Sequence, residues 1–212
     1  MKEFLPQYLQ EPKLSNAEVF TKIWLKPKMV FKFINAYRYE NYMILLLLLL
    51  GIVKGLDRLA DKGNSTDLSM GNIIVSAVLI GGITGWIGTY IYAVFISLTG
   101  PMFDGKATTK AIFRILAYAY IPTICSLFVI SGQLYLLNKN YYEINENLQL
   151  FISYALLTIE IVLSLWTAVL CVVGLAEVQK ITYFKAFLNL VVPFLMFVIP
   201  ILVFMFMATL IR

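Results

Sequence analysis

The stretch from Leu157 to Lys180, LTIEIVLSLWTAVLCVVGLAEVQK, constrains this chain more than any other. It is apolar and long enough to cross a bilayer, which takes about 20 helical residues for a hydrocarbon core of about 30 Å. Glu160 nevertheless lies well inside it. A charged residue at the centre of a spanning helix costs roughly 2.5–3.5 kcal/mol on insertion scales. At helical spacing Glu160, Ser164, Thr167, Cys171 and Gly174 share one stripe, opposite Ile161, Val162, Leu165, Val169 and Val172. One seam is therefore expected to face protein or trapped water and the other lipid. Two readings of Glu160 follow: a functional intramembrane carboxyl, or a neutral or hydrogen-bonded side chain that pins helix packing.

The rest of the chain is built in the same way. Of 212 residues, 60% are hydrophobic and only 14% charged, which excludes an ordinary soluble domain. The apolar runs are continuous rather than alternating, which excludes a transmembrane barrel. The expected fold is all-α: a polytopic membrane protein of five transmembrane helices preceded by amphipathic interfacial helices. It divides into a mobile tail (1–15), the interfacial helices (16–40) and a membrane domain (41–212). No short apolar segment with a cleavage site follows the start, so targeting is expected to come from the spans themselves.

In the interfacial region, Ser15 and Glu18 have the spacing of a capping box. Phe20, Ile23 and Trp24 share a face of the helix that follows, and Lys22 and Lys26 lie elsewhere. Pro27 opens a second helix with an apolar stripe of Val30, Ile34 and Tyr37, while Lys28 and Lys32 point away. Basic, aromatic and amphipathic together predict helices lying in the membrane interface, next to anionic lipid. The competing reading is a helix pair packed on the end of the bundle.

The first span, from Tyr42, reaches about twenty residues only if Lys54 and Arg58 snorkel. The second runs from about Gly71 to Leu98 and places Gly81, Gly85 and Gly88 on one face, a pattern that lets a neighbouring helix approach closely. Gly174 extends the set of packing glycines. The third span, about Ala111 to Leu137, contains Pro122, which breaks the backbone ladder and needs a polar neighbour; Tyr118 and Tyr120 are near enough in sequence to serve. The last, about Phe187 to Ile211, holds Pro193 and Pro200. With five spans, twelve Lys and Arg fall on the N-terminal side and five on the other, so the N-terminus is expected in the cytoplasm and the C-terminus across the membrane.

Catalytic chemistry is hard to find. The chain has no histidine, which excludes the usual zinc sites and histidine-based triads, and no nucleotide-binding loop is present. Asp104, Glu160 and Glu177 fall at different expected depths and form no obvious acid–base pair. No catalytic residue, cofactor or metal is predicted, and no nucleic-acid partner. Cys125 and Cys171 both fall inside spans, where a disulfide framework is not expected. The residues left are a polar seam of Glu160, Ser164, Thr167, Tyr118 and Pro122, the glycine packing face, and the interfacial set Trp24, Lys22, Lys26, Lys28 and Lys32.

Three stretches resemble the Yip family of Ypt/Rab-interacting membrane proteins, in the short form met in prokaryotes. They are KIWLKPKMVFKFI at residues 22–34, the pair TGPMFDGK and RILAYAYIP ending at Pro122, and LWTAVLCVVGLAEVQKITYFKAF with Trp166, Gly174 and Glu177. The resemblance implies five spans and a cytoplasmic N-terminus. In eukaryotes it also implies residence in Golgi and endoplasmic-reticulum membranes and association with Rab-type GTPases. Here the tail is short, the eukaryotic Asp-Leu-Tyr-Gly-Pro signature survives only as Gly100-Pro101, and Gln179 stands where many prokaryotic relatives carry histidine. The Rab partner is therefore not transferable. The expectation is a non-enzymatic protein of the prokaryotic cytoplasmic membrane that organises the bilayer or partner proteins, as a homo-oligomer or with other membrane proteins. The alternative is a small transporter or channel, proton-linked through Glu160.

Overall fold

The computed structural model of the chain describes residues 13–61, 75, 77–138 and 146–210. Most of the expected tail (1–12), the connection between the first two expected spans with the start of the second (62–74), and the centre of the connection between the third and fourth (139–145) lie outside them. The described residues form helices and no strand: α1 (Asn16–Lys22), α2 (Pro27–Ala36), α3 (Met43–Asp61), a π turn (Ala77–Gly81) running into α4 (Gly82–Thr99), a 3-10 turn (Gly100–Phe103), α5 (Thr109–Ala119), α6 (Ile121–Asn138), α7 (Glu146–Gln179) and α8 (Tyr183–Leu210).

The local signals account for most of these boundaries. Ser15 Oγ accepts from the Glu18 N–H at 3.3 Å and Glu18 Oε2 accepts from the Ser15 N–H at 2.9 Å, a complete capping box at the start of α1. Pro27 occupies the first turn of α2, where its missing N–H costs nothing. The Thr108 hydroxyl accepts from the Ala111 N–H at 3.4 Å and opens α5. The third expected span is two helices, interrupted at Tyr120 just before Pro122. Further on, α7 stops where Lys180 takes a left-handed conformation (φ 59°) and the Ile181 N–H bonds back to the Ala176 carbonyl at 3.1 Å, closing the helix end.

Among the described residues, four stretches are long and apolar enough to cross a membrane: Val78–Phe103, Thr109–Gln133, Leu150–Gln179 and Tyr183–Met207. The described residues are thus all-helical, with four stretches of the length and composition of membrane spans. The expected first span does not join this set. It is one helix of 19 residues, α3, but Lys54, Asp57, Arg58 and Asp61 crowd its C-terminal half.

Two compact units share these helices. Unit one holds residues up to Tyr39, Tyr90–Ile115 and the chain from Val172 onward; unit two holds Glu40–Thr89 and Leu116–Cys171. The core of unit one buries Val19 of α1 and Ile23 just after it, Val30, Phe31 and Ile34 of α2, Ala93 and Ile96 of α4, Ile112 of α5, Leu175 of α7 and Ala186 of α8. Of the apolar stripe of the N-terminal helix pair, Ile23, Val30 and Ile34 are covered by the protein's own residues, while Phe20, Trp24 and Tyr37 are half-buried. In unit two, Leu47, Leu50 and Val53 of α3 are buried together with Leu116, Tyr118, Ile130 and Leu170.

Candidate functional site

In unit two the polar seam is brought together only in part. The proline at 122 cannot extend the helical ladder, and the nearby Thr123 N–H donates across to the Thr167 hydroxyl of α7 at 3.1 Å, while the two threonine hydroxyls lie 2.8 Å apart. The polar neighbour of the helix break is thus Thr167. The Tyr118 hydroxyl, which sequence suggested for that task, donates instead to the Asn41 carbonyl. Thr167, Cys171 and Tyr118 are buried, Ser164 is exposed and Glu160 half-buried. Glu160 forms no hydrogen bond or ion pair among the described residues. Lys54, one of the residues expected to snorkel, stands over the Tyr120 ring at 5.3 Å, a cation–π distance.

The glycine face divides similarly. A Cβ on Gly81 would lie 2.5 Å from the Gly51 carbonyl oxygen, and one on Gly85 would lie 2.3 Å from the Gly51 Cα, so α3 and the start of α4 touch backbone to backbone. Gly88 has nothing within 4 Å. Gly51 itself went unnoticed in the sequence. Its signal was there, because Gly51 and Gly55 are four apart in an apolar run, the spacing of a small-residue packing stripe. In unit one, a Cβ on Gly174 would meet Ile115 Cγ2 at 2.5 Å and the Phe31 ring at 3.1 Å, so this glycine admits the N-terminal helix pair.

Unit one also holds the densest polar arrangement. The Gly100–Phe103 turn is closed by the Gly105 N–H donating to the Gly100 carbonyl at 2.9 Å, with Asp104 left-handed at φ 65°. Gln179, at the end of α7, packs its amide into this turn: a Cβ on Gly105 would lie 1.6 Å, and one on Gly100 2.8 Å, from Gln179 Oε1. That amide is only 3% exposed and neither of its polar atoms has a partner among the described residues. Beside it, the Thr99 hydroxyl donates to Asn189 Oδ1 at 2.6 Å, and the Tyr92 hydroxyl donates to the Leu190 carbonyl at 2.7 Å. Asp104 Oδ2 meets Lys185 Nζ at 2.5 Å, and that ammonium holds its carboxyl below the usual carboxylate range. The side-chain contacts of Gln179, Asn189, Tyr92 and Lys185 were not legible in the sequence, because each joins residues more than 70 apart in the chain.

The interfacial residues lie at the surface of the same unit. Lys26 and Lys28 are exposed, and Lys22, Trp24 and Lys32 half-buried. Lys22 Nζ meets Glu18 Oε1 at 2.5 Å, and this hydrogen bond, with those from Ser15, pulls the Glu18 carboxyl down to about 2. A cleft of about 290 Å³ opens between α2 and the α7–α8 connection, lined by Lys28, Ala176, Glu177, Ile181, Thr182 and Tyr183. Among the described residues no group of His, Cys, Asp or Glu is placed to hold a metal.

A family model described as the Yip1 domain matches residues 22–205 of the chain. No curated protein and no solved structure matches it.

Proposed function

We infer a function from the premise that this chain belongs to the Yip family of membrane proteins. It is a non-enzymatic integral membrane protein of a prokaryotic cytoplasmic membrane, with five spans and a cytoplasmic N-terminus. It organises the surrounding bilayer and partner membrane proteins from its cytoplasmic end. The observation that supports this most directly is charge. Eleven Lys and Arg but only three Asp and Glu lie in the described part of unit one. Anionic lipid contributes about 1 kcal/mol for each nearby Lys or Arg. The bilayer itself, other membrane proteins and further copies of the chain are the proposed partners, without a Rab-type GTPase or nucleic acid.

Charge reversal at Lys26, Lys32 and Lys106, all on unit one and none lining the cleft, tests this reading. The substituted protein should lose neighbours captured by in-cell cross-linking and spread more evenly over the membrane. An unchanged cross-linking profile at equal abundance would refute it.

One observation favours a second reading, a transporter or channel proton-linked through the seam: Glu160 has no partner among the described residues. Purified protein in liposomes, with Glu160→Gln beside it, separates the two. The organiser reading expects no flux above empty liposomes across a panel of ions. Flux that Glu160→Gln abolishes would establish the transporter.

A further inference from the structure

The cleft beside α2 combines features that the surrounding basic surface does not. Two helices begin at it. Lys26, the residue before α2, supplies no side-chain cap, so the backbone N–H of Lys28 is one of that helix's unpaired donors. At α8 the Thr182 hydroxyl accepts from the Lys185 N–H at 3.4 Å, which leaves the N–H groups of Tyr183 and Phe184 without a partner among the described residues. Both helix ends carry the positive pole of their dipoles. The Lys28 ammonium adds a full charge and makes no ion pair among the described residues.

The opposite chemistry lines the same cleft. Glu177 is 9% exposed, and its Oε1 accepts from Lys180 Nζ at 2.6 Å. Its second oxygen, Oε2, takes no hydrogen bond among the described residues. That open acceptor can take a donor from a molecule seated in the cleft. A ligand matched to this cleft therefore carries a negative group at one end and a hydrogen-bond donor a few ångströms away. At about 290 Å³ the space is at the small end for ligand clefts, which run roughly 300–1,000 Å³. That admits a headgroup-sized fragment rather than a large cofactor. Tyr183 and Phe184, both exposed at the start of a spanning helix, supply the aromatic rim expected at the level of lipid headgroups.

We propose that this cleft binds the headgroup of a membrane phospholipid, with the phosphodiester against Lys28 and the two helix N-termini and a headgroup hydroxyl or ammonium donating to Glu177. The proposal rests on the membrane-organising reading and narrows it from general charge attraction to a built site. Phosphatidylglycerol and phosphatidylethanolamine both carry the required donor. Phosphatidylcholine carries the same phosphate without one.

Native mass spectrometry of the full chain in detergent micelles, offered each lipid separately, measures retention directly. Phosphatidylglycerol and phosphatidylethanolamine should both outlast phosphatidylcholine. Lys28→Ala should lower their retention about tenfold, the loss of one charge-assisted phosphate contact. Lys28→Arg should restore it, and Lys26→Ala, outside the cleft, should leave retention of phosphatidylethanolamine, which carries no net charge, unchanged. Equal retention of all three lipids, or equal losses in Lys28→Ala and Lys26→Ala, would overturn the site while leaving the organising role standing. Displacement by soluble glycerol phosphate at concentrations comparable to the lipid would assign the cleft to a free phosphate ester and overturn the lipid assignment. A retained lipid preference in a protein whose cross-linked neighbours ignore charge reversal would show the reverse: a sound site and a failed organising role.

Discussion

At the scale of single residues, the polar groups found by spacing and those found by packing are different sets. Glu160 announced itself as a carboxyl inside an apolar run, yet among the described residues it takes no partner. Gln179 drew notice only as standing where many relatives carry histidine and Asn189 drew none, yet both are buried, Gln179 against Gly100 and Gly105 and Asn189 against Thr99. Spacing along one helix reports which residues share a face; it carries no information on what a distant segment brings to that face. The Asp104–Lys185 pair gives a pH test of such a long-range contact. Because the folded carboxyl titrates below its ordinary value, its contribution is fully present above that ordinary value, about 4, and fades as pH falls through the lowered one. The melting temperature of Asp104→Asn should therefore trail that of the parent by a constant margin from pH 7 to about 5. The margin should close in more acidic buffer, and a margin that widened there would contradict the pairing.

Individual elements were more legible. Helix starts at Ser15, Pro27 and Thr108, and the interruption before Pro122, follow from side-chain chemistry within a few residues of each boundary. What covers each helix face did not follow. The α1–α2 pair has the pattern of a helix lying in lipid, but its buried face is inside unit one. A stripe of apolar residues is the same signal whether lipid or protein receives it. The glycine face shows the same limit, since two of its three members meet α3 and the third meets nothing. Gly51→Ala should therefore separate α3 from α4, because the added methyl would lie 2.2 Å from the Gly81 carbonyl oxygen. Overpacking of this kind costs about 1–3 kcal/mol. Gly88→Ala should be neutral or slightly stabilising, since alanine favours helix. Unfolding in mixed micelles compares the two, and equal effects would remove the case for a backbone contact at Gly51.

For the whole molecule, composition settled the class, and the family match over residues 22–205 agrees with the resemblance read from three short stretches. The number of spans did not come out so cleanly, because α3 carries too many charges in its last turns to be counted by apolarity alone. Burial is also unevenly shared. Of the residues in the most apolar window of each span, 61% are buried in Thr109–Gln133, 17% in Leu150–Gln179 and 7% in Tyr183–Met207. The last helix, α8, has its described polar tethers at Lys185, Asn189 and Leu190, all within its first eight residues. Pro193 follows, and from Phe194 onward Leu195, Met196, Ile199, Met205 and Phe206 are exposed. Mechanically this is a cantilever, clamped at one end with a notch just beyond the clamp. Thermal displacement of such a beam grows with distance from its root, so spin labels at Ala186, Met196 and Met205 should report steadily increasing mobility. Equal mobility at all three positions would mean that something grips the far end as well.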